Sequence, residues 1–110
     1  MTASLQEVRT QLAARLEELR ATSEQTKQDR APVELDQTSV GRLSRMDSLQ
    51  AQAMALAADK RRHDEMKRIE AALHRIDEGE YGYCVRCGER IGAARLATDP
   101  TAPTCIKCAR

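Results

Sequence analysis

The chain has 110 residues, 41% hydrophobic but only 2% aromatic, with no Trp and no Phe, so large rings cannot close a round core and a single small extended domain is predicted. Charged residues make up 32% of it yet cancel to a formal net charge of +1, which argues against a protein that coats nucleic acid by bulk electrostatics. No apolar run of the roughly 18 residues a membrane span requires is present, so no membrane association is expected. Met1-Thr2-Ala3-Ser4-Leu5-Gln6-Glu7 lacks the basic start and apolar run of a secretory signal, so a cytoplasmic location is expected.

The first segment, from about Ser4 to Asp29, reads as a helix, because Leu5, Val8, Leu12, Leu16 and Leu19 recur at steps of three and four along one face. Beyond Leu19 the stripe turns polar at Thr22, Ser23 and Thr26, so that end is expected to pack weakly. Pro32 breaks the pattern, and a connecting loop is predicted over about 30–38. A second helix is expected from an N-cap near Ser39 to about Glu78, with Gly79 placed to end it in a left-handed cap. Its stripe is Leu43, Met46, Leu49, Ala53 and Leu56, then Met66, Ile69, Leu73 and Ile76, with a slip in register around Lys60 to His63. Neither helix can bury its stripe alone, and the loop between them is short. A mainly α fold follows: an antiparallel two-helix coiled-coil hairpin over residues 1–78.

Residues 79–110 differ in character. Gly79, Gly82, Gly88 and Gly92 with Pro100 and Pro103 rule out continuous helix, and the segment is too small to fold on apolar burial. It carries Cys84-x2-Cys87 and Cys105-x2-Cys108. Two residues between cysteines let a tight turn bring both sulfurs to one ion, and two such turns complete a tetrahedron of thiolates, the geometry of structural zinc. In a reducing compartment four cysteines are more readily ligands than disulfides. One structural Zn2+ on Cys84, Cys87, Cys105 and Cys108 is therefore expected, supplying about 10–16 kcal/mol in small domains of this kind. Two disulfides, four buried thiols or an iron–sulfur cluster are the alternatives that spacing leaves open. Four protein ligands leave no position for substrate, and no nucleophile–base pair, phosphate-cradling loop or carboxylate dyad accompanies them. An enzyme is not expected.

The text around the cysteines is Arg75-Ile76, Gly79-Glu80-Tyr81-Gly82-Tyr83-Cys84, Cys87-Gly88-Glu89-Arg90-Ile91, Arg95-Leu96, Pro100-Thr101-Ala102 and Cys105-Ile106-Lys107-Cys108. It resembles the DksA/TraR C4-type zinc-finger family, and the hairpin upstream matches that family in type. The resemblance implies a transcription regulator that binds RNA polymerase rather than DNA, its hairpin entering the secondary channel and its zinc module holding the hairpin's base. Well-known members carry Asp-x-x-Asp-x-Ala at the tip; counting back from Cys84 without gaps puts Gly41, Ser44 and Met46 there. The carboxylates near the tip are instead Asp36 and Asp47, which with Arg42 and Arg45 are the candidate partner-binding residues. Asp99 stands where nucleotide-binding members have a base, although Arg68 keeps another basic position, so a full guanosine tetraphosphate site is not expected.

Two other classes fit the residues. In a nucleic-acid-binding zinc ribbon, Arg86, Arg90, Arg95, Lys107 and Arg110 would contact phosphates. In a coiled-coil dimerisation or adaptor protein, the helices would pair between chains. Salt-dependent nucleic-acid binding would favour the first, and a monomer in solution would remove the second.

Overall fold

The computed structural model describes residues 4–32 and 42–109, the side chains of 42–44 excepted. Among the described residues three α-helices follow one another: α1 (Leu5–Gln25), α2 (Arg42–Asp77) and the short α3 (Ala93–Thr98), with a 3-10 turn at Lys27–Arg30 after α1. The Ser4 hydroxyl caps α1 by accepting from the Glu7 backbone N–H at 3.1 Å. The helix stops at Gln25, short of Asp29, where Thr26 caps its end and turns its hydroxyl back to the Thr22 carbonyl at 2.7 Å. α2 begins at Arg42 among the described residues; the expected loop and the Ser39 cap fall largely outside them.

α2 ends as its glycine dictates. Gly79 has φ +75°, and Glu80 and Gly79 donate their N–H groups to the carbonyls of Arg75 and Ile76 at 2.8 and 3.2 Å. This is the paired closure of a Schellman cap, which needs a left-handed residue at that position.

The two long helices run antiparallel, because partners on α2 fall in number as those on the first arm rise. Arg9 pairs with Asp77, Arg15 with Glu65, Ser23 with Asp59, and the Ala31 carbonyl with the Gln52 side chain. The core between them holds Leu12, Leu16 and Leu19 of α1 against Met66, Ile69, Ala72 and Ile76 of α2, with Val8, Leu73 and Tyr81 packed around it. Above Leu19 the contact turns polar. That end is not merely weak, as the stripe suggested: Ser23, Thr26, Arg30 and Arg62 converge on Asp59 or on one another through hydrogen bonds and ion pairs.

The distal half of α2 corrects a second expectation. Met46, Leu49 and Leu56 do not face the first arm but remain 59%, 45% and 49% exposed. Each lies twenty residues before Met66, Ile69 and Ile76 respectively. Twenty residues are about 5.6 helical turns, so the two stripes look in nearly opposite directions, and only the C-terminal one meets α1. The result is elongated, with extents of 62 × 29 × 23 Å and a radius of gyration of 19.5 Å, against about 13 Å for a compact chain of this length.

Candidate metal centre

Beyond Gly79 the chain makes two knuckles. In the first, the Gly88 N–H closes on the Cys84 carbonyl at 2.9 Å and the Cys84 N–H on the Glu89 carbonyl at 2.8 Å. Gly88 takes φ +78°, a conformation costly to a residue with a Cβ, which is why glycine follows the second cysteine. The Arg86 and Cys87 N–H groups point at the Cys84 sulfur, at 3.4 and 3.5 Å. In the second knuckle the Cys108 N–H closes on the Cys105 carbonyl at 3.0 Å. The knuckles are tied by the Val85 N–H on the Pro103 carbonyl at 2.9 Å and by Arg86, whose guanidinium donates to the Cys108 carbonyl at 3.4 Å.

Their four sulfurs lie within 4.8 Å of one another, and Cys87 Sγ is 3.7 Å from Cys105 Sγ. With zinc–sulfur bonds of about 2.3 Å, the edge of a tetrahedron of sulfurs is about 3.8 Å, so the cluster has the size the ion requires. The charge balance points the same way. Burial opposes ionisation of Cys84, yet the N–H groups of Cys87, Cys105 and Arg86 bring its thiol down to about 6. The sulfurs of Cys105 and Cys84 push Cys108 up to about 12. Four thiols this close cannot all become thiolates unless a cation shares the space, and soft sulfur donors in tetrahedral array select zinc. Ile91 is buried with Cys84 and Cys105, and Leu96 of α3 packs on them, so the cluster sits on its own small apolar floor.

The module is seated on the end of α2 by polar contacts that the cysteine pattern did not reveal. The Tyr81 hydroxyl donates to the Pro100 carbonyl at 2.8 Å, and Arg75 donates to the Thr101 carbonyl at 3.3 Å. Asp99 Oδ1 accepts from the Thr101 N–H at 3.1 Å and from its hydroxyl at 2.7 Å, fixing the turn that presents both carbonyls. Thr101 and Ala102 are buried there. Burial pushes the Tyr81 phenol above its ordinary value, so it stays a neutral donor.

The four predicted ligands are thus brought together. The predicted tip residues are not gathered into a described site: Asp36 lies outside the described residues, Arg42 opens α2, Arg45 is half-buried and Asp47 is exposed. Sequence reasoning missed Asp59, a carboxylate reached by Ser23, Arg30, Arg62 and His63. The one available signal was a polar run on α1 opposite an acid on α2.

Fold and cluster together define a helical hairpin that carries a C4-type zinc finger on its base. The sequence model of the prokaryotic dksA/traR C4-type zinc finger matches residues 79–110. The RNA polymerase-binding transcription factor DksA of Haemophilus influenzae is 54% identical over 43 residues, which are 39% of this chain and 30% of that protein. The factor of the same name from Caulobacter vibrioides is 40% identical over 55 residues, 50% of this chain and 39% of its own. The chain therefore aligns with well under half the length of these curated relatives. Among solved structures, transcription factor DksA2 from Pseudomonas aeruginosa superposes with a TM-score of 0.72 at 26% identity, over 94% of this chain and 78% of that one. The DnaK suppressor protein from Agrobacterium tumefaciens gives 0.60 at 28%, over 99% and 94%. Residues 79–110 thus carry a dksA/traR C4-type zinc finger, and the chain as a whole is similar in fold to DksA2. No described helix is long and apolar enough to cross a membrane.

Proposed function

We propose that this protein is a cytoplasmic, non-enzymatic regulator of transcription that binds RNA polymerase, its hairpin entering the secondary channel. The observations that carry this reading are 54% identity over 43 residues to a relative named for binding RNA polymerase and a fold that superposes on DksA2 over 94% of the chain. Residues 1–78 form the hairpin and 79–110 the zinc finger. Cys84, Cys87, Cys105 and Cys108 hold one structural ion. Zinc supplies a closed crosslink with no open coordination position, so the finger fixes the direction in which the hairpin leaves its base.

The protein's own residues do the rest. Arg75 ties α2 to the Thr101 carbonyl in a turn that Asp99 fixes, Tyr81 packs on the hairpin core while bonding Pro100, the apolar core stiffens the lower hairpin, and Asp59 braces it where that core ends. Asp36, Arg42, Arg45 and Asp47 make the tip contacts. No role is assigned to guanosine tetraphosphate, since the Asp99 carboxylate is engaged by Thr101 and places negative charge beside that turn. Sequence-specific DNA contact forms no part of the proposal.

Co-purification with RNA polymerase core enzyme at low salt, followed by transcription in vitro with and without the protein, tests it. Retention on the polymerase and a changed transcript yield are expected. No retention at low salt overturns the proposal. An Asp36→Asn/Asp47→Asn double variant that works as well as wild type removes the tip carboxylates from the mechanism while leaving docking intact.

A further inference from the structure

The two cysteine knuckles are not equally self-supporting. The first closes on itself through the backbone of Gly88 and Glu89 and is tied outward by the Val85 N–H. The second, Cys105-Ile106-Lys107-Cys108, contains no glycine, and among the described residues its backbone closes through the Cys108 N–H alone, at 3.0 Å. It follows the run 100–104, an irregular stretch in which Pro100 and Pro103 have no N–H to offer. The carbonyls of Pro100, Thr101, Pro103 and Thr104 are instead taken by donors from outside the run: the Tyr81 hydroxyl, Arg75, the Val85 N–H and Arg95. Satisfying these backbone oxygens is what gives a stretch without helix or ladder a fixed course.

Arg95 is the last of those donors before the ligands begin. Its Nε meets the Thr104 carbonyl at 2.9 Å, the ordinary length of a sound bond. That carbonyl shares a peptide group with the Cys105 N–H, which is among the donors that act on the Cys84 sulfur. One peptide is therefore held at its oxygen by a guanidinium and turned at its N–H toward a ligand of the other knuckle. α3 carries Arg95 to this place because Leu96, next in sequence, packs on Cys84, Ile91 and Cys105. The far end of the second knuckle is held by Arg86, which reaches the Cys108 carbonyl at 3.4 Å, a longer and weaker contact.

Taking the four-cysteine ion site of the proposed function as given, we infer that Arg95, assisted by Arg86, is a positioning residue of the metal centre: it holds the Thr104–Cys105 peptide so that Cys105 and Cys108 stand ready for zinc. Groups that orient ligands without touching the ion change metal affinity by about 10–100-fold. A surface role, with Arg95 meeting a phosphate or an acidic partner, would turn its donors to solvent. Arg95 is half-buried, and its Nε is engaged by the protein's own backbone. Nearness of positive charge does not select it either, since Lys107 stands between two ligands and its side chain is exposed.

Zinc competition with a chromophoric chelator, on the full-length protein, tests this with Arg95→Met, Arg95→Gln and Arg95→Lys. Methionine keeps the stem and removes the donor. The glutamine amide nitrogen lies as many bonds from the backbone as the arginine Nε, so it restores the donor without the charge, whereas lysine restores the charge alone. Arg95→Met and Arg95→Lys are expected to weaken zinc binding by about tenfold or more, and Arg95→Gln to bind close to wild type. Arg86→Met should lose less than Arg95→Met, and Lys107→Met nothing. A cobalt titration followed by the thiolate-to-cobalt charge-transfer band should rank the variants in the same order. Circular dichroism should stay that of wild type, because the hairpin core uses no residue of this knuckle. If wild type holds zinc and Arg95→Met holds it equally well, the positioning role falls and the ion site stands. Rescue by lysine but not by glutamine also overturns it, leaving charge as the cause. If wild type takes up neither zinc nor cobalt, the ion site and the positioning role fall together.

Discussion

Ser23 and Asp59 meet across the hairpin at 2.7 Å, at the level where the apolar core gives out. Below them Leu19 and Met66 are buried; above them the first arm is held to α2 by polar contacts, among them Arg30 to Asp59 at 3.2 Å and Gln52 to the Ala31 carbonyl at 2.8 Å. One carboxylate thus joins a hydrophobic lower hairpin to a polar upper one. Asp59 is 15% exposed and Arg30 and Arg62 are 18% and 19% exposed, so these pairs are sheltered enough to count.

Replacing Asp59 with Ala leaves two sheltered guanidinium groups short of their shared acceptor, a loss of about 1–3 kcal/mol. The effect is expected to be local. Hydrogen exchange should accelerate across residues 26–32 and the distal half of α2, while amides around Ile69 and Ala72 keep their protection. Uniform acceleration along the whole hairpin would show instead that Asp59 serves global stability.

The same node gives an acid response. Burial pushes the Asp59 carboxyl up, but the Ser23 hydroxyl, the charges of Arg30 and His63 and the hydrogen bond from Arg62 outweigh it and hold the group below the usual carboxylate range. A depressed carboxylate contributes stability that is fully present above its unfolded value near 4 and is lost as pH falls through the folded one. Melting temperature followed from pH 6 to pH 2 should drop more steeply for wild type than for Asp59→Asn. Loss of zinc in acid is common to both proteins, so their difference isolates Asp59; parallel curves would remove its titration from the acid response.

Two apolar residues on α2 separate packing from mere composition. Ile69 is 1% exposed, and Ile69→Ala is expected to cost about 2–5 kcal/mol in denaturant unfolding. Leu49 is 45% exposed, and Leu49→Gln should change stability by no more than about 0.5 kcal/mol. Equal losses would mean that the distal stripe is covered in solution.

What could be read in advance divides along physical lines. The cysteine pairs, Gly79 and Gly88 were legible because covalent spacing and backbone sterics leave little choice at those positions. The pairing of Leu12, Leu16 and Leu19 with a stripe on α2 was legible from periodicity. Which of two stripes they meet was not, because the offset between Leu49 and Ile69 becomes a change of face only once 5.6 turns are counted on an unbroken helix. Asp59 and Tyr81 were missed for a related reason: each acts through partners 36 and 19 residues away, a separation that no local pattern reports.

Removing the metal tests how far the finger and the hairpin depend on each other. The four sulfurs and the small floor around Ile91 are the module's main internal ties, whereas the core around Ile69 involves none of its cysteines. A chelator strong enough to take zinc is therefore expected to disorder the chain after about Gly79 and to leave most of the helical circular dichroism in place. The end of α2 should still feel the loss, because Arg75 donates to the Thr101 carbonyl and Tyr81, bonded to Pro100 within the finger, packs against the hairpin core. Tyr81→Phe isolates that coupling: with zinc bound it should cost about 0.5–1.5 kcal/mol, and after chelation it should cost nothing. A Tyr81→Phe penalty that persists in the chelated protein would place the hydroxyl's partner in the hairpin rather than at Pro100.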